Sequence, residues 1–189
     1  MRLVARDIAL PRDSESRYGL VSRALHWVVA FLIIALIPLG WYMIRLDYYD
    51  PWSHDALEIH KGLGMVVLLL ASIMISWQIA GRRTRITVSR KQWEALAAKI
   101  THYLLYALML VVPATGYIVS TSAGAGVSVF GLFEVPAALP KSVPLRDAAI
   151  SVHYYFAYAG VGLIALHVAG ALKHHFINRD DTLRQMFRG

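Results

Sequence analysis

AAISVHYYFAYAGVGLIALHVAGAL, residues 148–172, carries no charged side chain from end to end. A bilayer core takes ~17–25 apolar residues to cross as a helix, so this run reads as a membrane span. Inside it, His153 and His167 stand fourteen residues apart. At 1.5 Å per residue their rings lie ~21 Å apart along the axis, and nearly four whole turns bring both to the same side. One helix therefore offers two imidazoles to a bundle interior, one toward each membrane face. That arrangement suits two metal centres stacked across a bilayer.

Three other uncharged runs, 24–44, 63–80 and 104–121, have comparable length. The 189 residues are 57% hydrophobic and only 16% charged, well below the roughly one quarter charged in soluble domains. The helices carry no charged stripe of the kind a soluble bundle needs. The fold class is all-α, an integral membrane four-helix bundle.

Lys and Arg are distributed unevenly. Fifteen of nineteen precede Ala24, fall within 82–99 or follow from Lys173 onward, and only Arg45, Lys61, Lys141 and Arg146 lie on the other side. The positive-inside rule then places both termini and the 82–99 loop of this multi-pass membrane protein in the cytoplasm. The net charge of +7 mostly records this topology and some affinity for anionic lipid headgroups. It does not indicate nucleic-acid binding, because no basic surface is interleaved with exposed aromatics. The absence of cysteine excludes disulfides, iron–sulfur clusters and thiolate-ligated haem. The first apolar run reads as a permanent anchor, with no cleavable signal peptide evident.

Along the chain, residues 1–20 are expected as a loose cytoplasmic arm, 21–178 as the four-helix domain and 179–189 as a cytoplasmic tail. Helix 1 is expected over about 21–47, bent at Pro38, with His26 near its inner start. An acidic outer loop leads to helix 2, with His60 near its outer end. An inner loop over 82–99 precedes helix 3, which carries His102 toward its inner end. A Gly- and Pro-rich apolar segment, SAGAGVSVFGLFEVPAALPKSVP, is expected to lie over the outer end of the bundle.

Sorted by depth, His60 and His153 fall near the outer face, His26 and His167 near the inner one. Opposed imidazoles at one level on facing helices are what a bis-histidine haem iron needs. A single histidine near a helix end is more often an interfacial polar residue, but four at matched depths strengthen the functional reading. Gly62, Gly64, Gly160, Gly162 and Gly170 leave room for a flat macrocycle or for close backbones. His102 either substitutes for His26 or His167 as an inner ligand or hydrogen-bonds a propionate or quinone. His174 and His175 read equally as a basic interfacial anchor or as donors to a quinone head, since imidazole titrates near neutral pH. Lys61 is a candidate to attract an anionic donor and to pair with a propionate. A haem-free metal transporter is disfavoured by the lack of intramembrane carboxylates.

From Arg17 to Met186 the chain resembles the bacterial cytochrome b561 family. The resemblance is carried by SRALHW around His26, HKGLG from His60, HYLLYALMLVVPATGY from His102, VFGL from Val129, HYYFAYAGVGLIALH from His153 and ALKHHFINRDDTLRQM from Ala171. It implies two b-type haems, the outer one on His60 and His153, the inner one on His26 and His167. It further implies electron transfer from a small periplasmic donor, superoxide in the best-matching branch, to ubiquinone, with the quinone near Lys173, His174 and His175. An electron-transfer subunit serving a partner dehydrogenase or another redox protein is the alternative. Many members of the family carry arginines around a tryptophan matching Trp77, where this chain has Met74 and Gln78. Arg23, Arg82 and Lys173 are the chain's candidates to balance the inner propionates.

Overall fold

The computed structural model describes residues 19–80 and 91–188. Most of the expected N-terminal arm, and Arg82, lie outside the described residues. Four helices are long and apolar enough to cross a membrane. They are α1 (Leu20–Met43), α2 (Ser53–Ala80), α3 (Gln92–Ser122) and α4 (Val143–Lys173). Between α3 and α4 lie two short strands, β1 (Val127–Val129) and β2 (Phe133–Val135), and a further helix, α5 (Thr182–Arg188), ends the described chain.

Two boundaries differ from the sequence reading. Helix α1 ends at Met43, because turn hydrogen bonds Arg45 N–H to Tyr42 O and Leu46 N–H to Met43 O close the helix there. Helix α3 begins at Gln92, inside the expected 82–99 loop. Its first turns carry Glu94 and Lys99, so they are helical yet too polar to register as part of the span. Pro38 and Pro113 both remain within continuous helices. Helix α4 starts at Val143, where the Ser142 side chain caps Leu145 N–H at 3.4 Å and Pro144 occupies a first-turn position that needs no N–H.

The helices run up and down. Helix α3 packs closely on α4, α1 on α2 and α2 on α3, whereas α1 and α2 approach α4 only loosely. The closed-off side chains are mostly small: Ser22, Ala56, Ala71, Thr101, Thr121 and Ala149. Small residues let backbones approach, which is how helices associate when lipid is as apolar as leucine. Large apolar residues such as Phe31, Ile34, Leu69 and Leu166 face outward, where acyl chains would meet them.

At one end of the bundle β1 and β2 form an antiparallel hairpin with Val127 opposite Val135 and Val129 opposite Phe133. The Leu132 N–H reaches Val129 O at 3.0 Å, and Phe130 and Gly131 have φ of 54° and 72°. Two successive residues at positive φ tighten this three-residue connection, with a strained non-glycine residue first. Val127 and Val129 are buried, and the Phe130 ring covers Gly62, where an added Cβ would come within 3.1 Å of it. Gly62 is two residues from His60, so the hairpin grips the far side of α2 from that histidine. Leu139 N–H to Thr121 Oγ1 (2.9 Å) and Tyr117 OH to Pro136 O (2.6 Å) fasten the rest of the segment to α3.

At the other end α4 continues into a π-helical turn, His174–Asn178, followed by Arg179 at φ 55°. The segment expected as a tail folds back through α5 onto α1. Trp27 Nε1–H donates to Met186 O at 2.9 Å, Arg23 Nη1 donates to Phe187 O at 3.2 Å, and the Trp27 and Phe187 rings lie 4.6 Å apart. Asp180 governs this reversal: its Oδ1 accepts from Thr182 N–H at 3.0 Å while Oδ2 meets His174 Nδ1 at 2.6 Å.

Candidate functional site

The loose approach of α1 and α2 to α4 is bridged by histidines. Toward the hairpin end, His60 of α2 and His153 of α4 have ring centroids 6.2 Å apart. Toward the terminal end, His26 of α1 and His167 of α4 are also 6.2 Å apart. Two imidazoles binding one metal ion from opposite sides, at about 2 Å per bond, put their ring centres about 6 Å apart. Both pairs fit a bis-histidine iron in that respect.

The surroundings of the first pair agree. His153 Nδ1 lies 2.8 Å from Val112 O. A carbonyl only accepts, so the proton sits on Nδ1 and Nε2 keeps its lone pair for a metal. Thr115 Oγ1 lies 3.4 Å from the same nitrogen. His60 Nδ1 is buried without a partner among the described residues. Each ring rests on a bare glycine of a neighbouring helix: a Cβ on Gly40 would come within 3.2 Å of His60, and one on Gly116 within 3.2 Å of His153. Gly64 and Gly170 lie within one turn of His60 and His167 on the same faces. A Cβ on either would meet nothing within 4 Å, which is room a flat macrocycle can use.

His102 belongs to the second level. Its ring lies 5.0 Å from that of His167, at 89°, and its Nδ1 bonds Ala98 O at 2.6 Å. The separation is too short for two ligands opposed across one metal.

The other expected site residues lie outside the two facing pairs. Lys61 pairs with Glu58, so its charge is largely offset. Lys173 Nζ lies 2.6 Å from Glu94 Oε1, with Glu94 almost closed off, and sits 5.9 Å over the Trp93 ring. Arg23 reaches Phe187 O, though its Nε is buried without a partner among the described residues. Met74 is buried. His174 is held by Asp180, and burial pushes that carboxyl up while bonds from Thr182 and His174 pull it, on balance, below its ordinary value. His175 keeps Nδ1 unpartnered among the described residues and lines a cavity of about 670 Å³ with Leu183, Arg184 and Phe187. Sequence reasoning did not single out Glu94, Asp180, Gly40, Gly116 or the Val112 carbonyl. Asp180 alone had a signal, as an acidic residue just ahead of a short helical pattern.

Four membrane-length helices bridged by two histidine pairs define a membrane electron-transfer scaffold. The chain belongs to the prokaryotic cytochrome b561 family, which it matches over residues 17–189. It is 37% identical over 174 residues to cytochrome b561 homolog 2 of Escherichia coli K12, covering 92% of this chain and 93% of that one. It is 27% identical to the probable superoxide oxidase CybB of Yersinia pestis, over 91% of this chain and 96% of that protein. Cytochrome b561 homolog 1 of Escherichia coli K12 is 26% identical over 90% of this chain and 97% of its own length. Membership implies haem b binding.

Proposed function

We propose that the protein is a dihaem cytochrome of an inner membrane that passes electrons from superoxide on the periplasmic side to ubiquinone near the cytoplasmic side. The observation that carries this reading is the equal 6.2 Å spacing of the two histidine pairs, one toward each end of the bundle. His60 and His153 would hold one haem, His26 and His167 the other, and each haem supplies a one-electron couple when bound. The lopsided Lys and Arg distribution orients the terminal end toward the cytoplasm. At the hairpin end the Val112 carbonyl orients His153.

At the terminal end the cavity beside His175 is of a size that takes small ligands. The His175 ring would lie against a quinone head there, with Leu183 and Phe187 as apolar walls. His174, tied to Asp180, fixes the turn that places His175 there. Lys173 Nζ bonds Glu94 at 2.6 Å and keeps further N–H donors for a quinone head beside His174 and His175.

The likeness to a probable superoxide oxidase at 27% identity supports superoxide as donor. Stopped-flow reduction of ubiquinone by superoxide, using the purified chain alone, tests this. Turnover without a partner supports the oxidase reading. Turnover only when a second redox protein is added would replace it with that of an electron-transfer subunit.

A further inference from the structure

Helix α3 supplies neither member of a facing pair, yet it touches the α4 histidine at both levels. Toward the hairpin end its Val112 carbonyl accepts the His153 Nδ1–H at 2.8 Å. Toward the terminal end its His102 meets His167 edge-on, with centroids 5.0 Å apart and planes at 89°. His102 and Val112 lie ten residues apart in α3, and His153 and His167 fourteen apart in the antiparallel α4, so the two contacts recur at two depths of one helix pair.

The His102 ring is itself immobilised. Its Nδ1 lies 2.6 Å from the Ala98 carbonyl one turn earlier, which can only accept. The proton is therefore on Nδ1, and the ring cannot rotate without breaking a short bond. A perpendicular ring at 5.0 Å is an ordinary edge-to-face contact. It is shorter than the 6.2 Å by which His26 faces His167, and it does not suit a ligand on the opposite side of a shared metal.

We propose that His102 is a positioning residue for His167, a fixed imidazole wall that sets the rotation of the α4 ring toward His26. The proposal rests on the dihaem reading above. The two levels then differ in kind: a backbone carbonyl orients one α4 histidine, an aromatic ring the other. Partners that orient a metal-bound histidine typically change metal affinity or activity by about 10–100-fold when removed.

The test uses the full chain in detergent, as His102→Leu and as His102→Phe. The first removes the ring contact; the second keeps a ring but cannot bond Ala98. The readouts are haem titration, low-temperature electron paramagnetic resonance and a redox titration resolving each haem. In His102→Leu, both sites still fill with excess haem, one haem is released about 10–100-fold more readily, and only that haem shifts its low-field signal and midpoint. His102→Phe shifts the same haem by less. One site that no longer fills at any haem concentration would make His102 a ligand and overturn the proposal. So would unchanged signals, or equal changes in both haems. The haem content of the unaltered chain judges the dihaem reading separately.

Discussion

Gly116→Ala separates the two proposed haem sites with a single methyl group. A Cβ at position 116 would lie 3.2 Å from His153 Cε1 and 3.3 Å from its Nδ1. Carbon atoms rest at ~3.5–4.0 Å, so the ring must retreat by roughly 0.3–0.8 Å. The retreat is resisted by the 2.8 Å bond to Val112, and the displacement falls on the ring's aim toward His60. Alanine favours the helix over glycine by ~1 kcal/mol, while overpacking costs about 1–3 kcal/mol, leaving a net loss of about 0–2 kcal/mol. Global stability thus changes little while one site is disturbed. Reduced-minus-oxidised spectra and electron paramagnetic resonance should show one haem species shifted or diminished and the other unaltered, with the melting temperature moving by only a few degrees. Two unaltered haem species, or two equally altered ones, would refute the geometry on which the site is built.

His60→Ala and His153→Ala should each remove the same spectral component, and His26→Ala and His167→Ala the other; difference spectroscopy of the four variants checks this pairing. Lys173→Ala leaves the Glu94 carboxylate almost closed off without its ammonium partner. A loss of about 1–3 kcal/mol is expected, read as a lower melting temperature in detergent, and Glu94→Gln in the same chain should restore part of it. Asp180 has a depressed pKa, burial opposing the shift and bonds to Thr182 and His174 producing it. The α5 docking it supports is therefore fully present above the ordinary aspartate value of ~3.9 and lost as pH falls through the lower folded value. Hydrogen exchange of residues 182–188 against pH should show protection failing in that acidic window and not near neutrality.

The four spans were legible because a bilayer demands long uncharged runs, and residues 148–172 meet that demand without reference to any partner. The levels of the histidines were legible too, since depth along antiparallel helices fixes which rings can meet. The start of α3 was not, because Glu94 and Lys99 make its first turns as polar as a loop while Lys173 stabilises Glu94 from another helix. Nor was the docking of α5, which depends on Trp27 meeting the Met186 carbonyl, 159 residues away in sequence. The 5.0 Å contact of His102 with His167 likewise depends on the relative rotation of two helices, which apolar periodicity does not fix. The Phe130 turn escaped notice because a bulky residue at positive φ has no sequence signature.

Haem extraction and quantitation on the purified, unaltered chain bears most directly on the paired-imidazole geometry. Two haem b per polypeptide are expected, each low-spin and held by two histidines. One haem or none would contradict the account.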